Sequence, residues 1–461
     1  MAQPADVLVQ PVALSGDFDL LEMHERHPDR YPYLLESVAP GADVRGPAEA
    51  FDILFAFPGQ TLSLDEHFRL HGTHVNEPGA FLPALDGWWR SNRVAADPDL
   101  TLPFHGGWFI YLGYELVQQI EPTILVIAPP AGPVAFATRI PVALVRNRRT
   151  GLAWIVAEPT HRQAMHEIRQ DLTSCRATPS AGTLRPLVTS ISEPQPAAFL
   201  SAVAEVRKLI ARGDVYQVNL ARRWLATVGD QVRPADIYRR LRRTNPAPYA
   251  GIAAFGDWTL ISSSPERLVR CRGGVVETRP IAGTRPTADD PSQEDARRHE
   301  LLANPKERAE HIMLIDLERN DLGRISAPGS VEVDEFMAVE SYAHVHHIVS
   351  NVRGRLRPDV SPGEVIRAMF PGGTITGCPK VRCIEIIADL EEQSRGAYTG
   401  SMGYLNRDGS CDLNILIRTF VMQGRTLSFA AGSGIVADSD PVRELEETRA
   451  KAKGLLLALG G

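Results

Sequence analysis

A chain of 461 residues exceeds the size at which one hydrophobic core usually stops growing, so two domains, or one large fold with an appended lobe, are expected. An apolar fraction of 44% with 23% charged residues is that of a soluble globular protein, and a net charge of −7 argues against a phosphate-backbone binder, so no nucleic-acid partner is expected. No apolar run is long enough to span a bilayer, no cationic leader precedes an apolar segment, and the five cysteines (175, 271, 378, 383 and 411) lack CxxC spacing; reduced thiols in a cytoplasmic protein without a membrane partner are expected.

In chain order, the first ~120 residues alternate apolar runs, such as 51–57, with Pro, Gly and acidic turns, which predicts strands rather than long helices. Leu34-Leu-Glu-Ser37 lies in such a strand. Residues 118–149 are rich in Pro and β-branched side chains, and 152–156 reads as a further strand followed by a helix. The segment 176–196 carries Pro179, Pro186, Pro194 and Pro196 and is the linker candidate. It divides a β-rich N-terminal lobe, residues 1–185 and partly interleaved with the core, from a second domain of residues 186–461.

The second domain opens with an amphipathic helix over 197–212, capped at Gly213. Strands are predicted around 215–224, 252–262, 267–278, 400–405, 415–421 and 427–431, and helices over 234–244, 294–302, 305–320, 362–369, 380–390 and 441–457. The strands fall in hairpin-like groups, with a turn at Gly273-Gly274, so antiparallel pairing and an α+β class are expected.

Two of these helices each carry a pair of carboxylates three residues apart, Glu307 with Glu310 and Glu444 with Glu447. Residues so spaced share a helix face, and four converging carboxylates would need a cation; oxygen-only ligation suits a hard ion such as Mg²⁺. Part of each pair also has a structural explanation, but Glu310, a turn further in beside the apolar run 312–315, is not covered by one and is favoured as a metal ligand. Asn304, Pro305 and Glu307 form a helix start in which Glu307 completes a capping box, and Glu447 with Lys451 is an ordinary i, i+4 surface pair.

From about residue 214 to 453 the chain carries, in order, Ser263-Ser-Pro-Glu-Arg267, Thr278-Arg-Pro-Ile-Ala-Gly-Thr-Arg285, Lys306-Glu-Arg-Ala-Glu-His311 and Asp316-Leu-Glu-Arg-Asn-Asp-Leu-Gly-Arg324. It continues with His346-His-Ile-Val-Ser350, Gly372-Gly-Thr-Ile-Thr-Gly-Cys-Pro-Lys380, Ile417-Arg-Thr419, Ala431-Gly-Ser-Gly-Ile-Val-Ala-Asp438 and Glu444-Leu-Glu-Glu-Thr448. This series resembles the chorismate-binding enzymes: the large components of anthranilate synthase and aminodeoxychorismate synthase, and the salicylate and isochorismate synthases. The resemblance implies an anthranilate-synthase-like α+β fold, with antiparallel sheets packed face to face and helices outside.

It also implies roles by position. Glu310 and Glu447 become direct Mg²⁺ ligands, with Glu444 and Glu307 in support; Tyr398, Arg418, Gly432, Gly434, Lys451 and Thr374 bind chorismate; His347 stands near the departing hydroxyl, with Thr284 and Gln217 beside the chemistry. Asp321 is open to a capping role, and Lys380, opening a helix in a Gly-rich setting, resembles an anion cradle. Leu35, Glu36 and Ser37 resemble the tryptophan-binding element of anthranilate synthases.

The hydroxylating relatives carry a lysine where this chain has Gln217, and a neutral amide has no comparable basicity, so amination is expected. Within the aminating group, the 372–380 string, Gly400-Ser-Met-Gly-Tyr-Leu405 and Gly106-Gly-Trp-Phe-Ile-Tyr-Leu-Gly-Tyr-Glu115 resemble component I of aminodeoxychorismate synthase, which aminates chorismate at C4 for 4-aminobenzoate and folate synthesis. Ala282 points the other way, since some of that group have a nucleophilic lysine there and anthranilate synthases have alanine. No cysteine lies in a Gly-x-Cys-x-Gly turn, so ammonia is expected from a separate glutamine amidotransferase subunit. An inert subunit that binds chorismate or tryptophan is the alternative of another class.

Overall fold

A strand that is apolar on both faces needs cover on both sides, and Gly107–Leu112 shows what supplies it. Its Trp108, Ile110 and Leu112 pack into a core shared with helices, whereas Phe109 and Tyr111 point into a second core between two sheets. The computed structural model describes residues 7–38, 50–72, 79–175, 187–286, 299–341 and 345–460.

One sheet of twelve described strands runs Leu8–Val12, Ala153–Ala157, Val142–Asn147, Phe51–Ala56, Tyr33–Glu36, Tyr249–Phe255, Trp258–Ser264, Thr419–Gln423, Thr426–Ile435, Gln217–Val228 and Val188–Ser192, with Gly377–Cys378 paired to Gln217–Val228. The other, of eleven, runs Ile281–Pro286, Val345–Arg355, Val275–Arg279, Arg267–Arg272, Cys411–Asn414, Ser401–Asn406, Gly107–Leu112, Ala135–Ile140, Thr61–Leu64 and Leu70–His71; Glu332–Ser341 pairs with Val345–Arg355. The pairings among the described strands are antiparallel.

The sheets meet face to face. Tyr33 of the first stacks on Phe109 of the second at 4.1 Å between ring centres, and Phe255 stacks on Phe136 at 4.5 Å. Helices Arg162–Ser174, Pro234–Thr244 and Pro441–Leu459 cover the outside of the first sheet; Phe81–Asn92, Pro305–Gly323 and Pro362–Met369 cover the outside of the second. The expected fold class is the observed one. Both sheets draw strands from residues 1–185 and from 186–461, so the proline-rich boundary does not separate one sheet from the other.

Several local expectations need correcting. The first 120 residues contain a twelve-residue helix, Phe81–Asn92, whose Pro83 and Gly87 read as turn residues; proline is tolerated here because the first turn has no intrahelical use for its N–H. The run 252–262 is two strands of a hairpin, turning at Gly256, where φ is +60°. Residues 415–418 precede their strand, which starts at Thr419. Within the linker candidate, 176–186 lies outside the described residues, while Val188–Ser192 is an edge strand and Pro196–Ala211 a helix. Residues 294–298 of the predicted helix also lie outside, and 299–303 is helical.

Helix starts follow the local code more closely. The Glu307 N–H donates to Asn304 Oδ1 at 3.3 Å, and Asp440 Oδ1 accepts from the N–H groups of Val442 and Arg443. No described helix is long and apolar enough to cross a membrane.

Candidate active site

The centre of the site is a strand of small residues. Glycines at 432 and 434 leave the strand Thr426–Ile435 without side chains where it passes Gln217–Val228, and polar groups from elsewhere fill that space. A Cβ on Gly432 would lie 2.6 Å from both Asn219 Oδ1 and Tyr398 Oη; one on Gly434 would collide with Gln217 Nε2. Lys451, reaching in from the C-terminal helix, donates to the Gly432 carbonyl at 3.0 Å. Gln217 and Asn219 are buried, and among the described residues their Oε1 and Oδ1 have no hydrogen-bond partner. Buried polar atoms of this kind are normally satisfied, so these two are poised for a ligand. The Gly432→Ala variant is expected to lose about 1–3 kcal/mol of chorismate affinity or stability through crowding, read as a KM rise of about tenfold or more or as a lower unfolding midpoint.

A second cluster adjoins through Lys451. His347 lies on Val345–Arg355, with Nδ1 3.3 Å from the Gly283 carbonyl. Burial, and then the positive charge of Arg418, with smaller contributions from His346 and Lys451, push its pKa down to about 3. His347 is therefore a neutral imidazole at physiological pH: it can donate or accept one hydrogen bond, but it is not a standing acid. Arg418 itself sits at φ +51°, a backbone conformation that turns the chain between Ile417 and the following strand.

The same cations face a group to which the motif reading assigned no role. Glu266, in Ser263-Ser-Pro-Glu-Arg267, is buried, and burial raises its pKa to about 7 against the opposing pull of Thr374, the Ile281 N–H, Lys451 and Arg418. A carboxyl group that holds its proton near neutrality beside two cations is equipped for general-acid work. The signal available in the sequence was its place in a Ser- and Pro-flanked string at the end of an apolar strand, which prescribes burial but not what faces the carboxyl.

Behind Thr374 lies a polar support. The Gly373 N–H serves Glu318, a buried carboxyl whose pKa burial raises to about 8, and Asp321 pairs with Lys380. This corrects two expectations: Asp321 is a buried ion-pair partner rather than a helix cap, and Lys380 neutralises Asp321 rather than cradling an anion. Arg395 was also missed. Its guanidinium donates to Glu391, to the carbonyls of Asn219 and Ile375 and to Thr399 Oγ1, and lies over the rings of Tyr114 and Tyr398.

The carboxylate pairs are distributed around this site. Glu307 Oε2 would lie 2.9 Å from a Cβ on Gly283, the residue whose carbonyl meets His347. Glu310, one turn on, is half-buried. Glu444 accepts from Ser433 Oγ, and Glu447 pairs with Lys451 at 2.8 Å, so the i, i+4 contact is present. Among the described residues no three His, Cys, Asp or Glu side chains are close enough together to hold a metal ion. The donor set is nonetheless of the right chemistry, since it offers carboxylate oxygens and no thiol to a hard dication. Thr284 pairs with His347 in the strand register, and its side chain lies outside what is described.

Residues 70–457 match the family of chorismate binding enzymes. The chain belongs to that family. This chorismate-binding enzyme is 37% identical to anthranilate synthase component 1 of Streptomyces coelicolor, over 97% of its own length and 90% of that protein. It is 39% identical to aminodeoxychorismate synthase component 1 of Bacillus subtilis, over 82% of each. Its fold superimposes on the crystal structure of anthranilate synthase component I from Streptococcus pneumoniae with a TM-score of 0.78 and 32% identity, covering 88% and 92% of the two chains.

Leu35, Glu36 and Ser37 lie on the wall of a cavity of about 970 Å³ also lined by Phe51, Tyr249 and Met402. The Glu36 carboxylate is taken up by Arg148, Arg242 and the Tyr238 hydroxyl, while Leu35 and Ser37 border the open space.

Proposed function

We propose that this chain aminates chorismate as component I of an aminodeoxychorismate synthase, replacing the C4 hydroxyl with ammonia. The observation that carries the aminating reading is the neutral Gln217 amide beside Gly434: a site with an amide there has no base to activate water, whereas ammonia is already a nucleophile. Arg418 and Lys451 supply the positive charge for the two substrate carboxylates, and Tyr398 and Asn219 offer hydrogen bonds over the glycine strand. Glu266 gives its proton to the departing hydroxyl, which leaves as water, and neutral His347 orients that oxygen.

Mg²⁺ bound here would neutralise the ring carboxylate as electrons shift. Glu310 and Glu447 are the proposed ligands, with Glu307 and Glu444 in support. The ammonia source is a separate glutamine amidotransferase subunit. Tryptophan is the proposed occupant of the cavity at Leu35 and Ser37, with Glu36 bracing its wall.

Ala282 favours a second reading, anthranilate synthase, in which the amine enters at C2 and pyruvate leaves: its methyl, on the strand that pairs with His347, cannot add to the ring. Incubating the protein with chorismate, Mg²⁺ and ammonium at alkaline pH separates the two. A product that yields 4-aminobenzoate only after a separate lyase is added supports C4 amination; fluorescent anthranilate with pyruvate release overturns it. Turnover is expected to vanish with EDTA and return with Mg²⁺, and chorismate binding without turnover under any of these conditions would leave only the inert-subunit reading.

A further inference from the structure

Cys271 and Cys411 stand directly opposite one another on neighbouring antiparallel strands, Arg267–Arg272 and Cys411–Asn414. Directly opposed residues in such a ladder have Cα atoms about 4.5–5.5 Å apart, inside the range of roughly 4.4–6.8 Å that a disulfide spans. The two thiols are free, buried in the same apolar core beneath the second sheet, and within hydrogen-bonding reach of each other. Both residues also contribute to the wall of the cavity of about 970 Å³. The remaining cysteines are placed differently: Cys175 and Cys383 lie in other cores, and Cys383 Sγ donates to the Gln217 carbonyl.

We propose that Cys271 and Cys411 form a reversible redox modification site, closing to a cross-strand disulfide when the protein meets a small-molecule disulfide such as oxidised glutathione. One cysteine, as thiolate, attacks the oxidant's S–S bond, forming a mixed disulfide and expelling one glutathione thiolate. The other then attacks the protein sulfur of that mixed disulfide and expels the second. The two protein S–H bonds are exchanged for one S–S bond, and the oxidant, having taken two electrons and two protons, leaves as two thiols. In the reduced protein the hydrogen bond with Cys411, followed by burial, holds the Cys271 thiol well above the usual cysteine range. The bond would close a loop that contains Glu307, Glu310, His347, Thr374 and Tyr398, and so would restrict the unfolded state across much of the active site.

The test uses the full native chain, fully reduced and then exposed to a series of glutathione redox buffers, quenched in acid, alkylated and mapped by mass spectrometry. The expected result is paired loss of two of the five free thiols, a single linked peptide joining Cys271 to Cys411, reversal by dithiothreitol and a higher unfolding midpoint for the oxidised form. In Cys411→Ser, and separately in Cys271→Ser, that linked peptide should be absent and the midpoint insensitive to oxidant. Retention of five thiols by the native wild-type protein under conditions that oxidise its urea-unfolded form would overturn the proposal, as would a linked peptide joining Cys378 to Cys383 instead. Both readings come from the wild-type protein and stand even if the serine variants fail to fold.

Discussion

Glu266→Gln is expected to lower kcat by about 10²–10⁴-fold while chorismate still binds, because the variant keeps the shape and loses the transferable proton. The pH dependence should identify the group. With a pKa raised to about 7, Glu266 is in its acid form below pH 7 and loses it as pH rises through that value, so kcat/KM of the wild type should fall on the alkaline side of neutrality. In the glutamine variant the residual rate should lack that limb. Stability should shift in a direction set by the same proton. A carboxyl whose folded pKa is raised stabilises the folded state fully below its unfolded pKa, near 4.3, and loses that contribution as pH rises through about 7. Glu266→Gln should therefore gain stability relative to wild type between pH 4 and pH 8. A variant with an unchanged alkaline limb would remove Glu266 from the proton transfer.

Arg395→Ala is expected to be among the most destabilising single changes, by about 3–5 kcal/mol, since it strips the cation from a buried cluster and leaves its partners behind. The guanidinium side chain is 2% exposed and donates to Glu391 Oε1 at 2.6 Å, to the Asn219 carbonyl at 2.8 Å and to the Ile375 carbonyl at 3.0 Å. Those contacts tie the strand that carries Gln217 and Asn219 to the turn that carries Thr374, with Tyr398 beneath the guanidinium. Chemical denaturation should show the loss, and KM for chorismate should rise in Arg395→Lys even where the fold survives, because an ammonium cannot reproduce the planar fork. Near-wild-type stability in the alanine variant would refute this account of how the site is held.

The contrast between these residues explains what was readable from the chain. Glu307 and Glu310, and Glu444 and Glu447, were visible because three-residue spacing and helix starts are local: Asn304 and Asp440 cap where expected, and Pro362–Met369 and Lys380–Leu390 begin and end where their flanking residues dictate. Arg395 and Glu266 carry no such mark. An arginine four residues after Glu391 reads as a surface pair, and only the approach of Asn219 and Ile375 from distant segments makes it a buried clamp. Lys380 misled for a related reason: its place at a helix start predicted an anion, and the anion present is Asp321, 59 residues away in the chain.

What the sequence determined by itself was the family and most helices of residues 186–461, because periodicity, caps and ordered motifs are properties of neighbours along the chain. The α+β class and antiparallel pairing followed from it. The tertiary structure alone decided which strands of residues 1–185 join which sheet, the uptake of the Glu36 carboxylate by Arg148 and Arg242, the neutral state of His347 and the raised pKa of Glu266. Each depends on which strands lie side by side and on what they bury. Burial and charge act through space across contacts between residues tens to hundreds of positions apart, and no local pattern encodes those distances.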